Sequence, residues 1–331
     1  MKTIGVNGFG RIGRYFTRMT LDDPEVDVAV VNDIAGIHTL AHLFKYDSVH
    51  RRLQHNFQIK GEKIVFDNGK QIHFISEKKP ENIQWTDLGV EIVLEATGKF
   101  RTKESVSKHF TGGAKKIILS ATAEDTDVRT VVIGVNDHLI QESDRIISNA
   151  SCTTNSAAPM VKVMKELCNI ESAFITTVHS YTSDQNLHDA PHSDLRRARA
   201  AAESIVPTTT GAAKALAKVF TELEGNIGGC GVRVPVLNGS MTDLTFVVKN
   251  PPTGDQINAA MLKASKNEMS GILDFTDEPI ISVDIIGSPY SCIFDSLLTS
   301  VIGNMVKVVG WYDNEAGYSN RLIDLIKKIQ Q

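Results

Sequence analysis

Lys2-Thr3-Ile4-Gly5-Val6-Asn7-Gly8-Phe9-Gly10-Arg11-Ile12-Gly13 is the stretch that decides the fold class of this chain. Lys2–Asn7 reads as a short strand, Gly8 to Gly13 supply G-x-G-x-x-G at once, and Arg14 to Leu21 continue at helical spacing. Set between a strand and a helix, the glycines permit a tight turn, close approach of a pyrophosphate and close packing of helix on strand. Backbone N–H groups at the helix start then meet the phosphate charge. Val26 to Val31 adds a second apolar strand, which ends in Asn32-Asp33. Asp33 thus falls about twenty residues past the last glycine, where a carboxylate holds a ribose hydroxyl. Together these features predict a dinucleotide site.

Outward from that point, the first half alternates strands with helical stretches. Val90–Gly98, Lys115–Ser120, Thr130–Gly134 and Arg145–Ser148 are near-continuous apolar runs, the pattern of a parallel sheet covered on both faces. Ligands of such sheets bind at the carboxyl ends of the strands, where Thr97, Gly98 and Ser120 fall. The expected architecture is α/β, with a doubly wound Rossmann domain over residues 1–150. After Cys152 the pattern changes. A helix to about Leu167 is followed by a strand over Glu171–Tyr181, with His179 near its end, and by a polar loop from Thr182 to about Ala198. Helices are expected over Thr210–Phe220 and Asp255–Lys266, and longer, partly alternating strands over Gly231–Lys249, Ile280–Ile286 and Met305–Tyr312. This predicts an α+β second domain, residues 151–314, built on a mainly antiparallel sheet. The last segment, within 315–331, carries Leu322, Ile323, Leu325, Ile326 and Ile329 on one face. It is expected to form a helix that packs back on the first domain.

At 331 residues the chain is too long for one ordinary core and suits two domains. A net charge of −4 and a pI near 6.2 argue against general affinity for nucleic acid. The first strand begins at residue 2, so no signal peptide is expected, and no apolar run is long enough to span a bilayer. Cys152, Cys168, Cys230 and Cys292 are scattered without metal-ligand spacing, as are the histidines. We expect free thiols in a reducing cytoplasm and no metal.

Ser148-Asn149-Ala150-Ser151-Cys152-Thr153-Thr154-Asn155 places one of these cysteines at a helix start. Unpaired N–H groups and the positive end of the helix dipole favour the thiolate there, which is the nucleophilic form. The plainer alternative is a buried small hydrophobe. A nucleophilic sulfur beside a dinucleotide suggests a definite chemistry. The thiolate adds to an aldehyde, the hemithioacetal gives up hydride, and a thioester remains. The step needs a base, and His179 is the leading candidate. Water attacking the thioester would give an acid; phosphate would give an acyl phosphate. Arg196, Arg197 and Arg199 cluster in the polar loop, and Arg233 lies in an apolar strand where a guanidinium without an anion would be costly. Pro207-Thr208-Thr209-Thr210-Gly211 offers hydroxyls and N–H donors before another helix. These favour phosphate, although a solvated face or a subunit contact competes as the reading of Arg196–Arg199.

Over its full length the chain resembles the phosphorylating glyceraldehyde-3-phosphate dehydrogenase family. The resemblance is carried by Asn7–Arg14, Ser148–Asn155, Thr177-Val178-His179-Ser180-Tyr181-Thr182, Asp194–Ala201, Thr210–Ala215, Trp311-Tyr312-Asp313-Asn314-Glu315 and Gly317-Tyr318-Ser319. The arginine-rich loop is similar to that of bacterial and plastid members. The resemblance implies a glycolytic oxidoreductase that uses NAD to convert glyceraldehyde 3-phosphate and inorganic phosphate into 1,3-bisphosphoglycerate. It assigns Cys152 as nucleophile and His179 as base. Thr182, Asp184, Arg197 and Arg233 would meet the substrate's phosphate; Ser151, Thr153, Thr210 and Gly211 would meet the attacking one. Gly8, Phe9, Gly10, Arg11, Ile12, Asp33, Thr97, Ser120 and Asn314 would contact the cofactor, with Tyr318 near the nicotinamide. It further implies a homotetramer. Asp33 would repel a ribose 2′-phosphate, and Pro191 would crowd it, so NAD is expected over NADP. Ser156, Ala316 and Arg51 depart from the family pattern: cysteine, a bulkier residue and glycine are common there. Erythrose-4-phosphate dehydrogenase, with water as acceptor, is the alternative within the same chemistry. A dinucleotide-binding module without activity, or a surface adhesin, is the alternative outside it.

Overall fold

Two spatial units divide the chain, and the computed structural model describes residues 2–329 of it. One unit holds the chain up to Val131, His138–Ala150 and the chain from Ser319 onward; the other holds Val132–Asp137 and Ser151–Tyr318.

The first unit runs β1 (Lys2–Asn7), α1 (Arg11–Thr20), β2 (Val26–Asn32), α2 (Ile37–Lys45), β3 (Phe57–Lys60), β4 (Lys63–Phe66), β5 (Gln71–Ile75), β6 (Ile92–Glu95), β7 (Lys116–Leu119), β8 (Arg129–Thr130) and β9 (Ile146–Ser148). These form a nine-stranded sheet in the order β8-β9-β7-β6-β1-β2-β5-β4-β3. Neighbours from β8 through β5 are parallel, and β4 and β3 continue as an antiparallel edge. All of β6 is buried, as a central parallel strand must be. The carboxyl ends of β1, β2 and β6 therefore lie side by side, with Asn7 in register with both Asn32 and Glu95.

The strand expected over Thr130–Gly134 stops at Thr130. Val132–Asn136 turn instead: the Asn136 side-chain Oδ1 accepts the Val132 N–H at 2.8 Å, and Gly134 adopts φ +80°. A buried apolar run cannot by itself be told from a buried turn.

The second unit runs α3 (Cys152–Leu167), β10 (Ile170–Ser180), β11 (Val206–Thr208), α4 (Ala212–Val219), β12 (Ile227–Val234), β13 (Ser240–Val248), α5 (Gly254–Lys266), β14 (Leu273–Thr276), β15 (Cys292–Asp295), β16 (Ser300–Ile302) and β17 (Met305–Tyr312). Its mainly antiparallel sheet has the order β11-β12-β10-β13-β17-β15-β14, with β16 beside β17. The run Gly231–Lys249 is broken at Pro235–Gly239, and β10 lies between its two strands. Ile280–Ile286 is not a strand: Asp284 Oδ2 accepts the Ile281 N–H at 2.7 Å and closes a turn that leaves Ile281 and Val283 exposed. One sheet face meets helices, while Phe174, Met305 and Ile302 stand exposed on the other or at its edge.

Helix α6 (Ala316–Lys328) ends the described chain, with Leu322, Leu325 and Ile326 fully buried. Lys327 Nζ reaches Asp23 at 2.8 Å within the first unit. Gln330 and Gln331, which close the segment expected to be helical, lie outside the described residues, as does Met1.

Candidate active site

Ala150, at φ +56°, turns the chain into Ser151, whose hydroxyl caps α3 by accepting the Thr154 N–H at 3.1 Å. Cys152 is therefore the first residue of a sixteen-residue helix, half-buried, with its Sγ 3.4 Å from His179 Nε2. Sequence reasoning brought these two residues together only as chemistry; β10 brings them together in space. Burial pushes the Cys152 thiol up, against the pull of the Arg233 cation and of Thr153. The expectation that the helix start alone would favour thiolate needs this opposing effect added.

His179 pairs in register with Arg233 across β10 and β12. Its Nδ1 lies 2.7 Å from the Ser180 carbonyl and 2.8 Å from Arg233 Nη1, which also donates to that carbonyl at 2.9 Å. Burial and the adjacent guanidinium push the imidazole down to about 3, so it is neutral at physiological pH. With its proton on Nδ1, donated to Ser180, the Nε2 lone pair faces the sulfur. With Nδ1 accepting from Arg233, an Nε2–H faces it instead. Both neutral tautomers are provided for, and only the first can take a proton from the sulfur. Tyr312 completes the wall: its hydroxyl bonds Thr153 and Thr177, each at 2.9 Å, and its ring stands edge-on to His179.

Thr182 donates to Asp184, and Arg197 joins Asp184 at 2.8 Å while holding Thr208 Oγ1 through Nε at 2.8 Å and Nη2 at 2.6 Å. Burial pushes the Asp184 carboxyl up, but Thr182, Arg233 and Arg197 outweigh it and hold it below the usual carboxylate range. Asp184 thus serves to orient Thr182 and Arg197, since a carboxylate cannot itself attract an anion. The arginines of the loop part company here: Arg199 pairs with Asp189 at 2.9 Å. Thr210 Oγ1 accepts the Ala212 N–H at 3.2 Å at the start of α4, where Gly211 leaves open space. Ser151 and Thr153 already hold protein partners, with capacity left for one more.

In the first unit, Gly8 has φ +99° and a Cβ there would come within 2.7 Å of Thr97 N; one on Gly13 would come within 2.1 Å of the Gly8 carbonyl oxygen. Gly10 caps α1 without a side-chain bond, and a Cβ there would meet nothing within 4 Å. A helix start with no side-chain cap and with open space at Gly10 fits a pyrophosphate. Asp33 Oδ2 accepts the Phe9 N–H at 2.7 Å, which sets the carboxylate beside the loop. Phe9 itself is core, its ring 5.3 Å from those of Phe44 and Phe74, so only its backbone is offered to a ligand. Arg11 is tied to Asp47 at 2.5 and 3.0 Å, while Ile12 follows within α1. The Ser120 N–H reaches the Glu95 carbonyl at 3.0 Å. In the second unit, Asn314 Oδ1 accepts from Ser180 at 2.9 Å and Ser240 at 3.0 Å, which leaves its N–H groups for a ligand, and Tyr318 is buried nearby in sequence. Sequence reasoning missed Tyr312 and the buried Glu95. A carboxylate closing an all-apolar strand was the available signal.

Among the described residues, no group of three His, Cys, Asp or Glu side chains could hold a metal, and no helix is long and apolar enough to cross a membrane. A family model described as the NAD binding domain of glyceraldehyde 3-phosphate dehydrogenase matches residues 2–103, and one described as its C-terminal domain matches residues 151–314. A protein of Geobacillus stearothermophilus named glyceraldehyde-3-phosphate dehydrogenase is 51% identical over 97% of this chain and 96% of its own length. One from Streptomyces avermitilis, number 2 of that name, is 50% identical over 97% and 96%, and one from Bacillus subtilis, number 1, is 47% identical over the same shares.

Proposed function

The chain belongs to the glyceraldehyde-3-phosphate dehydrogenase family, and from that premise we propose that it oxidises glyceraldehyde 3-phosphate with NAD and inorganic phosphate through an acyl group carried on Cys152. The observation that carries the reading is the 3.4 Å contact between Sγ and His179 Nε2 at the start of α3.

Cys152 adds to the aldehyde carbon as its proton passes by way of His179 Nε2 to the carbonyl oxygen, so that the carbon–oxygen π bond opens, the carbon–sulfur bond forms and a hemithioacetal results. His179 Nε2, free again, takes the proton of the hemithioacetal hydroxyl, and nicotinamide, when bound, would supply the acceptor for the hydride. The product on Cys152 is a thioester. A phosphate oxygen attacks its carbonyl, the carbon–sulfur bond breaks, and the acyl phosphate leaves. Arg233 gives this sequence an order. Burial and then its charge hold His179 down, and a substrate phosphate beside Arg233 offsets the charge and makes the imidazole a stronger base. Gly8, Gly10, Arg11 and Ile12 offer backbone donors to the dinucleotide, Asp33 the ribose acceptor, and Thr97, Ser120, Asn314 and Tyr318 the remaining contacts. Arg197, Thr182 and Arg233 serve the substrate phosphate. Ser151, Thr153, Thr210 and Gly211 serve the attacking one.

We read the protein as a cytoplasmic homotetramer. The uncovered sheet face with Phe174 and Met305, and Leu195 at 83% exposure in the Thr182–Ala198 loop, support association. The decisive assay follows NADH formation from glyceraldehyde 3-phosphate with and without phosphate. Turnover that ignores phosphate and prefers erythrose 4-phosphate would replace this reading with the water-dependent one. NADP is expected to be a poor substitute for NAD, and equal kcat/KM for the two would remove Asp33 from its role.

A further inference from the structure

We propose that Glu95 is a positioning residue for the dinucleotide loop, its buried carboxylate fixing the Gly8 turn and Thr97 in the geometry that binds. The proposal rests on Gly8–Gly13 being the dinucleotide site. Glu95 closes β6 at 1% exposure, where a carboxylate is tolerable only if its oxygens are fully hydrogen-bonded. They are. Oε2 accepts from Asn7 Nδ2 at 2.5 Å and from His109 Nε2 at 3.1 Å; Oε1 accepts from the Thr97 backbone N–H at 2.8 Å and from the Thr97 hydroxyl.

The direction of each bond is set by its neighbours. Trp85 Nε1 can only donate and does so to His109 Nδ1 at 3.0 Å, so the His109 proton sits on Nε2, facing the carboxylate. Asn7 Oδ1 accepts from Asn32 Nδ2 at 2.7 Å, so the Asn7 amide presents its N–H groups to Glu95. Donors therefore converge on Glu95 from Asn7 at the end of β1 and from His109 on one oxygen and from Thr97 on the other, with Asn32 at the end of β2 one bond further out. Backbone bonds run in parallel: Gly8 N–H to Asn32 O at 2.8 Å and Ala96 N–H to Asn7 O at 2.7 Å. Because a Cβ on Gly8 would fall 2.7 Å from Thr97 N, the turn and Thr97 are already in backbone contact. A shift of Thr97 would move the turn that presents α1.

Glu95→Gln keeps the shape but aims an N–H at donors whichever way the amide lies. Calorimetric titration with NAD should show Kd raised about 10-fold or more. KM for NAD should follow it, while KM for glyceraldehyde 3-phosphate and kcat at saturating NAD stay within about twofold. Asn7→Ser should move Kd in the same direction and carries the test if Glu95→Gln does not fold. Trp85→Phe removes only the far donor to His109, and should lower the melting temperature with NAD affinity unchanged. Unchanged NAD affinity in the folded variants overturns the proposal. So does an equal loss in Trp85→Phe, which would make the network general scaffolding. Gly10→Ala separates the premise: its methyl clashes with nothing in the protein, so NAD affinity unaffected by it would mean that the loop is not the site.

Discussion

His179 is held by three neighbours of different kinds: a thiol, a backbone carbonyl and a guanidinium. Each constrains what the ring can do. His179→Asn retains polarity but cannot take the sulfur's proton, and kcat should fall by roughly 10²–10⁴-fold. Wild-type turnover in steady-state assays would take His179 out of the mechanism. Cys152→Ala should abolish NADH formation while NAD binding persists. Of the three residues that depart from the family pattern, Arg51 has φ +62°, in the left-handed region where a side chain is strained. Its exposed side chain makes the family's glycine understandable, and Arg51→Gly should raise stability by about 0.5–1 kcal/mol in denaturant unfolding. A loss of that size would mean that the side chain does more than endure its backbone. Cys152 at a helix start and His179 near the end of a strand were legible one residue at a time as positions in the fold. Arg233 as partner of the imidazole was not, because only the β10–β12 register reveals it.

Elements whose ends were marked by chemistry emerged close to expectation. Helix α3 begins at its serine cap, and β1 ends where the glycines begin. Elements defined by apolar runs alone were less secure. The turn at Val132–Asn136 and the turn at Ile281 each depend on a side chain accepting a backbone N–H, which hydrophobic pattern does not register. The same kind of bond secures the segment after α2. Asp47 accepts the Val49 and His50 N–H groups at 2.8 and 2.9 Å as well as both Arg11 nitrogens. Burial pushes the Asp47 carboxyl up, but Arg11, His50 and Val49 outweigh it and hold it far below the usual range. A depressed folded pKa stabilises fully above the unfolded value near 4 and is lost as pH falls towards the folded one. Asp47→Asn should therefore cost about 1 kcal/mol at pH 6–8, discounted for the partly exposed Arg11. The gap from wild type should narrow below about pH 4 in urea melts; a gap that widens there would reverse the assignment.

For the whole molecule, the second unit's sheet leaves Phe174 half exposed, with Met305 and Ile302 also uncovered. Apolar groups gathered at one face are expected to be covered by another copy. Sedimentation should give four times the chain mass of 36.2 kDa. Phe174→Asp should shift the population to smaller species; a monodisperse monomer in the wild type would refute the tetramer. No periodicity along the chain announces such a face, because Phe174 alternates with buried neighbours as any half-covered strand does.

The final helix has a consequence for synthesis. Residues from Ser319 onward complete the unit that begins at the amino terminus, with Leu322, Leu325 and Ile326 filling its interior. Along the chain those residues come after the long segment of the other unit, Ser151–Tyr318. The nascent amino-terminal sheet must therefore wait, with those apolar places unfilled, until that intervening segment has been made.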